Sequence, residues 1–417
     1  MVAETAAIDC DVLIVGAGIA GTAFAAAIRD RGLSVVQVEM SKQPLDTARG
    51  DHLQCVVVEQ LDQWGMLPAF WAAGAEKRHS ARYVTPTGEV IMPVNYQGLP
   101  IPHPYYLYLN HEVIAETFIG LARENPRHTL FKPARARDFD FLPNGGGIAA
   151  LTIRLDESAA APDGFAPGQD VVITPRLVVG ADGRGSRVRE EMKYTSHAHE
   201  YSSPLVVLFG PQLFDDPEHE VRSFMGPHGT LSRIPRTGGH WKVGMSIAKE
   251  DIAFWKTATL KMRQQAIAVR APELEGFAAE VGGFYPVKLL NTDQWTRGNT
   301  VLLGDACHAM HPARGQGMNV AIRCLARLVD LLPDAADFAN AEILGKRLRA
   351  YESGTKPAVD KVLADNHARG EQMDSRDPAV IATSAAALRK IADDPEFLRR
   401  YCMQSAGYAD SLSALNG

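Results

Sequence analysis

The chain is poor in cysteine: five in 417 residues (Cys10, Cys55, Cys307, Cys324, Cys402), an odd number scattered along its length. That spacing implies no disulfide framework and fits a reducing compartment. Basic excess is also missing, with 43 Lys+Arg against 49 Asp+Glu and a net charge of −6. A nucleic-acid binder would need the opposite balance to displace counterions from phosphates. Long apolar runs are absent too. The uncharged stretch that follows Asp11, 12–28, is Gly-rich and shorter than the ~20 residues that span a bilayer. No Lys or Arg precedes Arg29, so the positive n-region of a signal peptide is lacking. The expectation is a cytoplasmic protein with no integral membrane segment. No Gly-x-Ser-x-Gly elbow stands between a strand and a helix, which removes the usual hydrolase arrangement. Internal repeats and low-complexity tracts are missing as well.

What remains is a chain with 46% hydrophobic and 22% charged residues, enough for a large core and, at about 150 residues per domain, two or three domains. Its first forty residues carry the strongest signal. Asp11-Val-Leu-Ile-Val15 is a β-branched run suited to a buried parallel strand. Gly16-Ala-Gly18-Ile19-Ala20-Gly21 follows at once, then an alanine-rich helical segment ending near Gly32, then a second strand at 34–39. Gly16 permits the tight turn, Gly18 lets backbone approach a pyrophosphate, and Gly21 lets the helix pack on the strand. The helix N-terminus offers N–H groups and positive dipole to phosphates. Glu39, eighteen residues beyond Gly21, is placed to accept from a ribose hydroxyl and would repel a 2′-phosphate. The order points to a dinucleotide with a free 2′-hydroxyl, FAD or NAD.

Two further strand-to-turn transitions follow: Leu177-Val-Val-Gly180-Ala-Asp182-Gly183, and Thr300-Val-Leu-Leu-Gly304-Asp305. The second continues through Cys307, His308 and His311 to Pro312-Ala-Arg314-Gly315-Gln316-Gly317-Met318-Asn319 and an amphipathic helix. With these three segments in order, the sequence resembles the FAD-dependent aromatic hydroxylases typified by p-hydroxybenzoate hydroxylase, the class A flavoprotein monooxygenases. The resemblance implies an α/β fold: a Rossmann-like FAD domain of the glutathione-reductase type, an inserted mixed or antiparallel substrate sheet, and C-terminal helices. It implies FAD as cofactor, NADH or NADPH as co-substrate, and a phenolic or N-heteroaromatic small molecule hydroxylated with O2 through a flavin C4a-hydroperoxide. Monomer or homodimer is expected.

The resemblance also assigns roles. Asp305 would accept from the ribityl hydroxyls, and Asp182 would serve both FAD and NAD(P)H. Gly315, Gln316, Gly317, Met318 and Asn319 would open a helix whose N–H groups face the flavin ring, with Pro312 fixing the loop along it. Arg49 matches an arginine that contacts the pyrophosphate and the moving flavin. Two places depart from the family pattern: Met40 stands where Arg or Lys often follows the strand-end acid, and His111 stands where an arginine is common. Both are retained as cofactor contacts. His311 is an unusual extra histidine before Pro312.

Cys307, His308 and His311 have metal-ligand atoms at close spacing but no second ligand pair nearby, so no metal is expected there. His197 and His199 read as a solvated strand edge. A phenolic substrate needs help losing its proton, and His103, His228, His240 and the tyrosines at 105, 106 and 108 are the candidates. The expected FAD-binding domain comprises 1–75, 105–185 and 295–330; the substrate domain 76–104 and 186–294, where short alternating runs read as antiparallel strands; and a helical region 331–417. The alternatives are a halogenase-like or geranylgeranyl-reductase-like flavoenzyme, or a flavin-binding module without turnover. A halogenase would carry a paired-tryptophan segment, whereas Trp64, Trp71, Trp241, Trp255 and Trp295 all stand apart.

Overall fold

A computed structural model describes residues 5–43 and 50–413. Its centre is an eight-stranded sheet built on the apolar run at the start of the chain. The strand Ala6–Val15 lies between Asp170–Gly180 and Val35–Val38, parallel to both. His128–Phe131 extends one side and Thr300–Leu302 the other, again parallel. Val12, Leu13 and Ile14 are fully buried, as expected for a strand covered on both faces. The first strand begins at Ala6, earlier than the apolar run alone suggests, because Ala6–Cys10 continue the parallel register against Val171–Pro175.

Seven strands form the second sheet, in the order Glu280–Tyr285, Leu205–Pro211, His240–Ser246, Leu231–Arg236, Val221–Phe224, Ser80–Val84, Val90–Asn95. Alternation gives it two faces. Val206, Leu208, Trp241, Val243 and Met245 pack outward into their own core with Trp255 and Ile267 from two covering helices. The intervening residues turn toward the first sheet. Lys242 Nζ donates to Asp51 Oδ2 at 2.7 Å, and Arg236 reaches Asn110 Oδ1 at 3.0 Å and Glu112 Oε1 at 3.1 Å. These contacts tie the two layers across a buried junction.

The strands of this sheet come from 80–95 and 205–285. Around them, Glu76–Arg78 pairs instead with Tyr106–Tyr108 in a small sheet, and Ser196–Glu200 pairs with Lys288–Thr292 in another. The helical stretch after 331 does not stand apart. Leu344, Leu348, Tyr351, Val359 and Leu363 of the long helix Ala341–Asp374 belong to the same core as the first strand. Among the described residues, no helix is long and apolar enough to cross a membrane.

Candidate active site

The three motifs converge. Gly16 has φ +109°, and a Cβ there would lie 2.3 Å from Ala181 O at the end of the neighbouring strand. A Cβ at Gly21 would lie 2.2 Å from Gly16 O, so only glycine lets the helix Ile19–Ala27 start this close to the strand. At Gly304 (φ +58°) it would meet the Ala20 methyl at 3.0 Å and the Ala321 methyl at 3.5 Å. Gly18 differs from these: a Cβ would meet nothing within 4 Å, so this backbone borders open space. Ile19 is buried beneath the turn.

Glu39, at the end of the second strand, is tied to that turn. Its carboxylate accepts from Ala17 N–H at 2.8 Å and Ser41 N–H at 2.7 Å. Met40 projects into solvent, 65% exposed. On the opposite strand, Asp182 Oδ2 accepts from Val188 N–H at 3.2 Å, while its Oδ1 is buried without a hydrogen-bond partner. Burial raises the Asp182 carboxyl above its ordinary range, opposed by hydrogen bonds from Ser186 and nearby backbone. Asp305, part-exposed at the end of the third motif, accepts from Arg184 Nε at 3.3 Å.

The loop carrying Pro312 leads into the helix Gln316–Leu331 through Gly315, whose φ of +60° makes it the left-handed N-cap. No side chain caps this helix, so its first N–H groups are left without side-chain acceptors. A Cβ on Gly315 would run into the His52 ring at 2.2 Å. Pro312 is exposed and Gln316, Gly317 and Met318 are half-buried, whereas Asn319 is fully buried. The Asn319 amide is spent on the protein: Oδ1 accepts from Gln54 N–H at 2.7 Å, and Nδ2 donates to His52 O and Gly315 O. Its side chain therefore braces the loop, leaving backbone to meet a ligand.

His111 is buried at the start of its helix, with Nδ1 2.8 Å from Gly50 O and its N–H donating to Asp51 Oδ1 at 3.1 Å. It holds the segment that follows residue 49. Arg49 itself lies outside the described residues.

Behind the loop stands a set of residues that the sequence did not reveal, all on the long helix. Asn366 Nδ2 donates to His311 O at 3.1 Å, and Gly370 lets the His311 ring pack against the helix backbone, since a Cβ would sit 2.6 Å from it. His311 Nδ1 accepts from Ala313 N–H, which leaves the proton on Nε2 to be donated to Asp374 Oδ2 at 3.3 Å. Asp374 Oδ1 accepts from the Ser246 hydroxyl at 2.5 Å. One buried carboxylate thus joins the loop to the second sheet. Spacing of four and eight along one helix face was the available signal, but it points nowhere until the partner loop is known.

Cys307 and His308 do not gather into a ligand set. The Cys307 thiol donates to Leu302 O at 3.4 Å, and burial pushes it well above its ordinary range. His308 lies beside the Trp295 ring at 5.3 Å, held down to about 4 by burial. Of the base candidates, His228 is exposed in a turn and His240 is exposed at the start of its strand. His103 bonds Asp62 and Tyr105. Tyr106 donates to Ser405 O at 2.6 Å, and Tyr108 stacks on His52.

The fit to FAD rests on these observations: open space at Gly18, an orphaned oxygen on Asp182, an uncapped helix start, and a run of part-exposed backbone between them. The FAD binding domain family model matches residues 9–365. The chain belongs to this family. It is an FAD-dependent oxidoreductase of the monooxygenase type, with NADH or NADPH as reductant. Ubiquinone hydroxylase UbiL of Rhodospirillum rubrum is 26% identical over 83% of this chain and 78% of its own length. The 3-demethoxyubiquinol 3-hydroxylase of Escherichia coli is 23% identical over 82% and 84%. Among solved structures, p-nitrophenol 4-monooxygenase PnpA of Pseudomonas putida DLL-E4 superposes with a TM-score of 0.76 at 18% identity, covering 97% of this chain and 99% of that one. Pseudomonas aeruginosa PqsL, in complex with 2-aminobenzoylacetate, gives 0.75 at 22% identity over 92% and 100%. The structural likenesses establish the fold.

Proposed function

We propose that this enzyme hydroxylates an electron-rich aromatic small molecule held between the inner face of the seven-stranded sheet and the Pro312 loop. Gly244 carries this reading. It sits mid-strand between Lys242 and Ser246, opposite Val207 and Ser232, and a Cβ there would meet nothing within 4 Å. A glycine with free space beside it, on a face otherwise docked to the first sheet, is what a ring-sized pocket requires. The relatives named for ubiquinone and nitrophenol chemistry share a ring activated by oxygen substituents, and that class is assigned here.

The chemistry supplied by bound FAD is acceptance of hydride from NADH or NADPH and activation of O2, one atom going to the ring and the other to water. Gly16–Gly21, Glu39, Asp182 and Asp305 would hold it. The protein's work is positioning and electrostatics. The uncapped N-terminus of Gln316–Leu331 favours negative charge in front of it. Asn366 and Asp374 fix the loop. The apolar sheet face, Val207 with Ile234 and Phe209, keeps water from the reacting centre. Five buried, unpaired thiols fit a reducing, cytoplasmic setting.

The test is substrate-stimulated NADH and NADPH consumption across a panel of phenols, hydroxyquinolines and anilines. Gly244→Leu is expected to abolish stimulation while flavin content stays at the wild-type level. Stimulation that survives Gly244→Leu overturns the pocket assignment; flavin binding with no stimulation by any ring overturns the hydroxylase reading in favour of a module without turnover.

A further inference from the structure

We propose that His199, His367 and Glu371 form a binding site for a divalent first-row metal ion of the zinc class. His199 lies in the strand Ser196–Glu200, while His367 and Glu371 are one turn apart on the helix Ala341–Asp374. One donor atom from each residue lies within 4.8 Å of the other two. His199 Nε2 and Glu371 Oε1 are 3.4 Å apart, the separation two ligands take around a tetrahedral ion with bonds of ~2.1 Å. The His199 and His367 rings meet edge-on at 4.9 Å with planes 71° apart.

The second layer is built as metal histidines require. Tyr201, itself buried, places its hydroxyl 2.9 Å from His367 Nδ1. That contact orients the imidazole and leaves Nε2 to a metal. Two imidazoles and a carboxylate, with His199 and Glu371 exposed and His367 half-buried, leave a fourth position open to water. Neighbouring charges do not compete: Lys249 and Lys288 are engaged with Glu200, and His197 with Asp293. The ion would join the strand to the last turns of the helix that holds the Pro312 loop. Tyr201 completes that connection, its ring meeting His311 edge-on at 4.8 Å.

Local sequence marks His199 only as a solvated strand edge, because its partners lie 168 and 172 residues further along. The site is separate from the flavin cleft, and its test reads the metal directly. Calorimetric titration of the FAD-loaded, tag-free enzyme with ZnCl2 is expected to give one saturable site per chain. His367→Ala and Glu371→Gln should weaken it more than tenfold, Tyr201→Phe by about tenfold, and His197→Ala not at all. Co2+ in the same protein should show tetrahedral ligand-field bands that His367→Ala removes. Absence of saturable binding, or zinc affinity unchanged in His367→Ala, overturns the proposal; so does equal weakening by His197→Ala, which would reveal diffuse surface association.

Discussion

At the scale of single residues, what matters is which polar groups are spent on the protein and which are left over. His308 was legible as part of the third motif, but its environment was not. Both ring nitrogens are buried without partners, and burial holds the imidazole to about 4, from an ordinary 6.5. The folded chain keeps this group neutral where an unfolded chain binds a proton, so stability falls as pH drops from 6.5 towards 4 and is level above. His128, also held to about 4 by burial, adds to the same slope. Urea unfolding should lose about 2 kcal/mol per histidine between about pH 7 and about pH 5. His308→Leu should remove its share, and an unchanged slope would refute the assignment. Gly18→Val places a side chain in the open space beside the turn, so FAD affinity should fall by more than about tenfold with the fold intact. Equilibrium dialysis would check this. Asp305→Ala should likewise lower flavin retention, read by absorbance after gel filtration.

At the scale of elements, the parallel strands and their glycine turns could be read from the sequence because period and punctuation are local. The long helix could not. Asn366, Gly370 and Asp374 matter only through the loop they face, with His311 lying 55 residues before Asn366 and 63 before Asp374, and nothing local marks them. Asn319 was legible as a motif residue, yet its side chain proves to be a brace between the helix start and His52–Gln54. Asp374→Asn replaces the charged acceptor shared by the Ser246 hydroxyl and His311 Nε2–H with a neutral amide that has a single acceptor oxygen. Turnover should fall about tenfold at unchanged flavin content, and more of the NADH consumed should appear as hydrogen peroxide. Coupled assays for NADH and peroxide would show it; full coupling in the variant would count against the clamp.

For the whole molecule, two sheets are joined through buried charge. Asp51 receives Lys242 Nζ at 2.7 Å and the His111 N–H, with Arg236 Nε at 3.8 Å. Burial pushes the Lys242 ammonium below its ordinary range, against the pull of Asp51. Lys242→Met should destabilise the protein by about 3 kcal/mol, because it leaves a carboxylate enclosed with a poorer partner. Adding Asp51→Asn should recover part of that loss in urea unfolding. Sequence patterning separated the alternating runs of the second sheet from the parallel strands. It could not show which alternating face docks, since both faces carry apolar residues and the docked one is identified by Lys242 and Arg236. Asp374 extends this junction, giving one oxygen to the sheet through Ser246 and the other to the ring loop through His311. A shift of Ser246 on the sheet therefore acts on the carboxylate that also meets His311, and any coupling passed through it is equal in both directions.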